Sequence, residues 1–264
     1  MKARIKAVNS PTVDRIGCVL DVEIALDPDV FSLVADKSKG GFGRLPLKKL
    51  ICATVLTFAE GDDAAFNVLG LQTFHAGKLP ETAILAAVDA AVTDPLDPRS
   101  VLVTYNGHAH DLPLLRMRAM KSWAFDLDRL RGWDGASHRH VDVMLGMGGG
   151  ARRLVSLEDV TALLGAGIRG RRKVSNNIAA SHRAGDWDAI VRKNQLDVAA
   201  TFMAYAHMRA WERGSSIPAT SAWTAFSEFA RRLPKAASHL AEFSHNSMVA
   251  VARQVAARPV AIAA

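Results

Sequence analysis

The chain has 264 residues, of which 49% are hydrophobic and 22% are charged, and these proportions are those of an ordinary globular protein, not a disordered one. Its length suits one principal domain with an accessory segment and is short for two independent cores. The net charge of +7 lies in the later half, because residues 1–132 hold 16 basic and 16 acidic residues while residues 133–264 hold 17 and 10. This surplus allows a polyanionic partner, and the alternative is a solvated surface, which is the usual role of charged runs.

The sequence gives no sign of export or of membrane insertion. The first residues, MKARIKAVNSPTVDRIG, include basic side chains but no apolar stretch after them, so no secretory signal is expected. The longest apolar run, Ile51 to Phe58, is too short to span a bilayer and indicates a buried strand. Cys18 and Cys52 each lie in an apolar strand-like run, which favours reduced core thiols over a disulfide. We therefore expect a cytoplasmic protein without membrane contact.

The first half of the chain predicts a sheet that begins with antiparallel strands. Apolar runs between polar, Gly-containing turns predict strands at Ile16 to Leu26, Leu50 to Phe58 and Ala65 to Phe74. A helix from Pro80 to Val92 leads into a fourth strand, Val101 to Tyr105, and this helical crossover predicts that the fourth strand is parallel to an earlier one. A helix from Asp111 to Met120 is predicted directly after it.

The second half predicts mainly helices. His140 to Met144 is a short strand-like or extended run, and the glycines from Gly146 to Gly150 predict a flexible turn because they do not match a dinucleotide-binding loop. A capping pattern at Ser156 and a stop signal at Gly165 delimit one helix. The later predictions are a long helix at Asp186 to Glu212, a linker SSIPATS after Gly214, and one or two helices between Trp223 and Ala257 that break at Pro234.

This order of elements predicts an α/β fold, with a mixed sheet and helices on both of its faces. We divide the chain into a principal domain at residues 1–214 and a helical C-terminal extension at residues 215–264. The sequence contains no internal repeat.

Two acidic residues interrupt the first predicted strand. Asp21 and Glu23 are one residue apart in the apolar segment VLDVEIAL, so their side chains project from the same face of the sheet. Burying carboxylates in such surroundings costs free energy unless a cation or a polar partner compensates it. The pair is therefore a candidate metal site, and the alternative is an edge strand with a solvated face.

Two further acids are ambiguous when each is taken alone. Asp111 begins the helix after the fourth strand, where an acid is commonly a cap or an N-terminal charge. Asp197 has apolar neighbours in the long helix, where it is either half exposed or bound to a partner. A pair of divalent ions requires several carboxylates that converge on one point, and these acids at the ends of elements are candidates for such a set.

Three segments, in this order, resemble the motifs of DEDD-superfamily 3'-5' exonucleases. LDVEIAL resembles the first motif, TYNGHAHDLPLL the second and NQLDVAATFMAY the third. Within the superfamily, the chain is most similar to predicted exonucleases that resemble the proofreading domain of family B DNA polymerases. In these, an Asn-Gly pair with an Asp-Leu-Pro run, a later His-x-Asp segment and a long helix bearing the last acid recur in this order. The resemblance covers about residues 16–213.

The resemblance implies an RNase H-like fold with a mixed five-stranded sheet flanked by helices. It implies that two Mg²⁺ or Mn²⁺ ions are held, and catalysis carried, by Asp21, Glu23, Asp111 and Asp197. It also implies that Asn106 contacts the substrate or supports the turn, and that Asp142 belongs to a neighbouring supporting segment.

One position departs from the family. Its third motif has a Tyr four residues before the Asp, or a His five residues before, to orient the attacking water, whereas this chain has Lys193 and Arg192 there. In a helix, Lys193 lies beside Asp197. We expect its side chain either to act on water as a neutral amine, as a catalytic residue, or to form an ion pair with Asp197 that competes with metal. Both roles predict a slow enzyme that is more active with Mn²⁺ than with Mg²⁺. His182, in a predicted loop, is a weaker candidate for the missing group.

Candidate contacts to a nucleic-acid strand lie in a basic run and beside the second motif. Arg171, Arg172 and Lys173 form the densest basic run, and they are candidates for holding the strand. His110 is a candidate contact to a substrate phosphate. The pairs of alternating histidines at residues 108–110 and 138–140 are more typical of turns or surface than of zinc, since the set of acids favours Mg²⁺ or Mn²⁺. Trp123, Trp133 and Trp187 more often pack than stack on bases.

The leading hypothesis is an enzyme that removes nucleotides from the 3' end of single-stranded DNA through metal-activated water. The first alternative is a degenerate relative that binds nucleic acid with little or no cleavage. The second is an RNA-trimming 3'-5' exoribonuclease, because the same metal chemistry cleaves either polymer.

Overall fold

A computed structural model describes residues 13–34, 44–135, 137–148, 155–166 and 177–258. These residues form one mixed sheet with the strand order β3-β2-β1-β4-β5. The strands are β1 (Val13–Leu26), β2 (Lys48–Gly61), β3 (Phe66–His75), β4 (Ser100–Thr104) and β5 (His140–Asp142). β1 is antiparallel to β2, and β2 to β3, whereas β4 is parallel to both β1 and β5.

Helices cover the sheet. Within the described ranges the α-helices are α1 (Pro28–Ser32), α2 (Glu81–Ala91), α3 (Asp111–Lys121), α4 (Asp128–Gly135), α5 (Val143–Gly148), α6 (Leu157–Leu163), α7 (Ile178–Ala184), α8 (Trp187–Arg213), α9 (Ile217–Arg232) and α10 (Ser247–Ala256). Short 3-10 helices occur at Leu45–Leu47, Ser137–Arg139 and Lys235–His245.

The two faces of the sheet bury different side chains, because successive residues of a strand point to opposite sides. In β1, Val19 packs into the cluster that contains α8. Cys18 and Leu20 pack into the cluster that contains α2 and α3. Helices therefore cover both faces, and the predicted α/β fold with a mixed sheet is confirmed.

The longest helix, α8, has both of its ends marked in the sequence. Asp186 caps the N-terminus by accepting a backbone hydrogen bond at 3.0 Å. Gly214 ends the helix in the left-handed conformation, with φ of 60°. The prediction of a long helix at Asp186 to Glu212 is confirmed. The helix predicted between Ser156 and Gly165 is also confirmed, as α6.

The segment after Gly214 packs into the same core as the sheet. α9 lies against α8 and β3. Its buried Trp223 and Phe226 belong to the same apolar cluster as Phe58 of β2 and Phe202 of α8. The helix after Gly214 therefore shares the core of the sheet, and the division of the chain at residue 214 stays a prediction.

Three local predictions are wrong. The glycine-rich segment predicted as a turn is helical up to Gly148, because α5 packs on α8 and this burial outweighs the low helix propensity of glycine. The SSIPATS segment is not a linker, since α9 begins at Ile217 with Pro218 in its first turn, where the missing N–H costs little. His182 is not in a loop but in α7, with its ring 5.5 Å from that of Trp187.

The two cysteines are buried free thiols, so the prediction of reduced core cysteines is confirmed. Burial raises the pKa of both Cys18 and Cys52, which keeps them protonated. In the part of the chain that the structure describes, no helix combines the length and the apolar character needed to cross a membrane.

Candidate metal centre

The central strand β1 extends beyond the end of its parallel neighbour β4 and carries two carboxylates there. The last pair between the two strands is Val19 and Val103. Asp21 and Glu23 follow on the same face as Val19, which is the face covered by α8. The register between β1 and β2 shifts directly after Glu23, as at a β-bulge. Both acids therefore lie at the carboxyl-terminal edge of the parallel pair, where α/β sheets commonly bind ligands.

A tight turn between β4 and α3 brings a third carboxylate to this edge. Asn106 adopts the left-handed conformation, with φ of 67°, which Asn tolerates better than most residues. The Asp142 carboxylate accepts hydrogen bonds from the backbone N–H groups of Asn106, His108 and Met144 at 2.9, 3.1 and 3.1 Å. Asp142 thus holds the turn in place. Helix α3 begins directly after this turn, with buried Asp111 as its first residue.

Gly107 in this turn leaves no room for a side chain. A Cβ atom there would lie 2.2 Å from the hydroxyl oxygen of Thr104, and this hydroxyl is hydrogen-bonded to Nε2 of buried His140 at 2.8 Å. Gly107→Ala is therefore expected to lower the free energy of unfolding by about 1–3 kcal/mol, the usual cost of overpacking. Urea denaturation measures the change, and an unaltered midpoint would contradict the close contact.

One turn of α8 faces the carboxylates. Lys193 donates hydrogen bonds to Glu23 Oε1 at 2.5 Å and to Asp197 Oδ2 at 2.8 Å. Asn194, which is fully buried, donates one to Asp21 Oδ2 at 2.5 Å. Lys193 and Asp197 are four residues apart, so they share one face of the helix. α8 therefore contributes a fourth acid, an ammonium group and an amide to the same place.

Three of the acids line one cavity, and Asp197 lies beside two of them. One oxygen atom each of Asp21, Glu23 and Asp197 lies within 4.8 Å of the others. Asp111 is close enough for its charge to raise the pKa of Asp21. The cavity has a volume of about 320 Å³, and the polar residues that line it include Asp21, Glu23, Asn106, His110, Asp111 and Lys193. Residues from β1, the second-motif turn and α8 therefore share one pocket.

Crowding of these acids disfavours their ionisation unless a cation compensates it. Burial raises the pKa of Asp21 well above its ordinary value, and the neighbouring carboxylates raise it further. Burial also raises the pKa of Glu23 to about 7, although Lys193 opposes this shift. For Lys193, burial alone would lower the pKa, but the charges of Glu23 and Asp197 outweigh burial and raise it. Lys193 is therefore a charged ammonium group that cannot accept a proton from water.

Asp111 has one oxygen with a protein partner and one without. Its Oδ1 lies 2.8 Å from Nδ1 of His110, and this hydrogen bond raises the pKa of the imidazole. Its Oδ2 is buried and has no hydrogen-bond partner among the described residues. A buried carboxylate oxygen without a partner costs free energy. A cation in the cavity would remove this cost.

The donor set fits a divalent ion such as Mg²⁺ or Mn²⁺. Its atoms are carboxylate oxygens, which these hard ions prefer. The unpartnered oxygen of Asp111 and the raised pKa values of Asp21 and Glu23 indicate more negative charge than the protein's own cations balance. Across the described ranges, no other group of His, Cys, Asp and Glu side chains has metal-binding geometry.

Most of the other histidines and tryptophans considered in the sequence pack against or bond to neighbouring groups of the protein. The rings of His108 and His140 lie 4.0 Å apart, and burial lowers the pKa of His140 to about 4. Trp133 is fully buried and donates to the carbonyl oxygen of Thr93 at 2.9 Å. Trp187 packs on histidine rings. Trp123, in contrast, is 82% exposed.

The sequence between residues 40 and 246 matches the family model described as "Predicted 3'-5' exonuclease related to the exonuclease domain of PolB". The chain belongs to this PolB-related exonuclease family. Its structure is similar to that of the family B DNA polymerase from the hyperthermophilic archaeon Pyrobaculum calidifontis, with 15% sequence identity and a TM-score of 0.46. The similarity covers 83% of this chain and 29% of that polymerase chain. No curated protein matches the chain.

The match to the PolB-related exonuclease family confirms the resemblance seen in the sequence motifs. It includes Asp111 and Asp197 but begins after β1. Asp21 and Glu23 therefore join the other acids through the pairing of β1 with β2 and β4, and not through the matched segment. The roles of the individual residues stay predictions.

Sequence reasoning missed two contacts of the site. Asn194 precedes Asp197 by three residues, so helical spacing predicts that both lie on one face of α8. Its hydrogen bond to Asp21, however, joins residues 173 positions apart. The contact between Lys193 and Glu23 likewise joins residues 170 positions apart. The basic run with Arg171, Arg172 and Lys173 lies outside the described residues.

Proposed function

We propose that this protein is a metal-dependent 3'-5' exonuclease that hydrolyses the terminal phosphodiester bond of single-stranded DNA by a two-metal-ion mechanism. The observation that carries the proposal is a cavity lined by the carboxylates of β1 and of the start of α3, together with the carboxylate of α8 that lies within 4.8 Å of the β1 pair. Membership of the PolB-related exonuclease family supports the class of reaction. The order of the three motifs supports the assignment of the acids.

The residues that would hold the ions are Asp21, Glu23, Asp111 and Asp197. Bound divalent ions supply an activated water and stabilise the leaving oxygen in phosphodiester hydrolysis. The protein itself orients the acids, since Asn194 holds Asp21 and His110 holds Asp111. Such hydrogen bonds to ligating carboxylates fix their orientation.

Substrate contacts are proposed for two residues at the second motif. His110 lines the cavity, and its side chain is 34% exposed. Its pKa is raised by the hydrogen bond to Asp111, so protonation gives it a positive charge that attracts a phosphate. Asn106 also lines the cavity, and its backbone N–H is bonded to Asp142. Its amide side chain is a candidate donor to the strand.

A second candidate function is nucleic-acid binding with little or no cleavage, and Lys193 favours it. The lysine takes the position at which the family has a water-orienting Tyr, and its ammonium group can only donate hydrogen bonds. The two tyrosines do not replace it, because Tyr105 donates its hydroxyl to the carbonyl oxygen of Val155 at 2.6 Å and Tyr205 is buried in the core.

A nuclease assay separates these candidates. The protein is incubated with single-stranded DNA or RNA in the presence of Mg²⁺, Mn²⁺ or EDTA. Each strand is labelled at the 5' end and, in a separate preparation, at the 3' end. The proposal expects stepwise shortening of DNA from the 3' end, faster with Mn²⁺, and no reaction in EDTA. DNA that is retarded on a native gel but is not shortened would support the binding protein instead. Shortening of RNA alone would support an exoribonuclease. A cytoplasmic location remains part of the proposal.

The basic run at residues 169–173 is expected to hold the strand. Replacing Arg171, Arg172 and Lys173 by Gln should weaken binding of single-stranded DNA and flatten its salt dependence. Each lost phosphate contact reduces the slope of log affinity against log salt concentration by about 0.7 for single strands. Fluorescence anisotropy at several salt concentrations measures this slope. If the slope stays that of the wild type, the run is solvated surface.

A further inference from the structure

The ammonium group of Lys193 is hydrogen-bonded to two carboxylates of the candidate ion site. It bonds Glu23 Oε1 at 2.5 Å and Asp197 Oδ2 at 2.8 Å. These acids and Asp21 are the group whose oxygens have metal-binding geometry. The side chain of Lys193 is only 15% exposed, so solvent screens this pair of contacts weakly. The protein therefore carries a cation of its own at the candidate ion site.

We infer that Lys193 is an internal competitor for one divalent ion. Its ammonium group takes the place of an ion on Glu23 and Asp197, and it has to leave before an ion binds there. This inference rests on the proposed function, because it concerns the same carboxylates. The inference adds a form of regulation to the proposed function. An ion binds to Glu23 and Asp197 only when its concentration is high enough to displace the ammonium group.

Simultaneous occupation by both cations is disfavoured. An Mg²⁺ ion lies about 2.1 Å from its oxygen ligands. An ion on Glu23 and Asp197 would therefore lie close to an ammonium group bonded to the same two side chains, and like charges at such a separation repel strongly in a partly buried pocket. Lysine has a flexible four-carbon stem, which allows the ammonium group to move away.

The other two acids are held without a lysine or an arginine. Asp21 accepts its hydrogen bond from the neutral amide of Asn194, and Asp111 is bonded to His110. No lysine or arginine in the described part of the chain forms an ion pair with either acid. An ion bound mainly by Asp21 and Asp111 therefore meets less competition. The wild-type protein is expected to bind one ion more tightly than the other.

Binding of Mn²⁺ tests the inference without any measurement of cleavage. Isothermal titration calorimetry and electron paramagnetic resonance of the unbound ion give the number of sites and their affinities. Lys193→Met removes the ammonium group and keeps a long apolar side chain. It is expected to tighten the weaker site by about tenfold or more. Arg192→Met is the matched control, because it removes the same charge one residue away, where the guanidinium group pairs with Glu242 at 3.4 Å.

Thermal melting gives a second readout and shows whether Lys193→Met is folded. In EDTA this variant is expected to melt at a lower temperature than the wild type, because Glu23 and Asp197 lose a compensating charge. Mn²⁺ should then raise its Tm by more than it raises that of the wild type or of Arg192→Met. Lys193→Arg, which retains a cation, should keep the weak site.

The outcomes distinguish this inference from the proposed function. Equal Mn²⁺ affinities together with equal Mn²⁺-dependent shifts in Tm for the wild type and Lys193→Met would overturn the inference and leave the proposed function intact. Failure of both proteins to bind Mn²⁺ would overturn the two together.

Discussion

Replacing Asp21 or Asp111 by Asn is expected to lower metal-dependent shortening of end-labelled DNA by orders of magnitude. Each substitution removes one negative charge and one ligand from the site that the proposed function assigns to two divalent ions. The fold should be preserved, because Asn has nearly the same shape and its carbonyl oxygen still accepts the hydrogen bond that Asn194 donates to Asp21. Initial rates of shortening with Mn²⁺ measure the loss.

The same substitutions are expected to raise the Tm in EDTA. Burial and neighbouring carboxylates raise the pKa of Asp21, and burial raises the pKa of Asp111, so ionisation of either group opposes folding. An amide removes this cost. Activity and stability should therefore change in opposite directions, as expected where a site trades stability for function.

Asp27 is the matched control, since it is a buried acid whose charge is compensated. It is 3% exposed and lies 2.8 Å from Arg118 and 3.0 Å from Lys121. Burial raises its pKa, but the hydrogen bonds from these two cations prevail and lower it to about 2. Asp27→Asn should lower the Tm and leave cleavage by the folded protein unchanged. A Tm that also falls for Asp21→Asn and Asp111→Asn would argue against a metal site.

The second large effect is a pH-dependent difference in stability between Glu23→Gln and the wild type in EDTA. The pKa of Glu23 is raised from 4.5 to about 7 in the folded protein. The stability contributed by such a group is complete below its unfolded pKa and is lost as the pH rises through the folded pKa. Gln resembles the protonated acid at every pH. The variant should match the wild type near pH 4.5 and exceed its free energy of unfolding by about 3 kcal/mol well above pH 7.

A difference between two proteins is required because histidines titrate in the same range with the opposite sign. Burial lowers the pKa of His140 and His239 to about 4, so their contributions to stability increase as the pH rises from there. Both residues are unchanged in the variant, and their contributions cancel. Urea denaturation at several pH values gives the difference. A difference that is constant from acid to alkaline pH would refute the raised pKa of Glu23.

Local periodicity predicts part of the arrangement of the acids, whereas the grouping of all four in one site was implied by the family resemblance. Alternation along a strand puts Asp21 and Glu23 on one face whatever the rest of the fold. The helical crossover predicts a parallel fourth strand, and the parallel pairing of β1 with β4 brings Asp111 to the same edge of the sheet. Helical spacing puts Lys193 beside Asp197, and the two side chains are in contact.

The remaining contacts depend on how distant segments pack. The bonds from Lys193 to Glu23 and from Asn194 to Asp21 require a particular position of α8 along β1, and no local pattern encodes that position. The wrong prediction for α5 has a related cause. Val143 and Met144 are buried there, and tertiary packing outweighs the low helix propensity of the glycines.

The placement of Lys193 and Asp197 on one helix has a consequence for the speed of ion exchange. They are one turn apart on a 27-residue helix, so any movement of that helix as a rigid rod carries the ammonium group and the carboxylate together. Their separation requires only rotation about the side-chain bonds of Lys193, and side-chain rotations are among the fast motions of a protein. The exchange of the ammonium group for an ion that we infer therefore requires no slow backbone rearrangement.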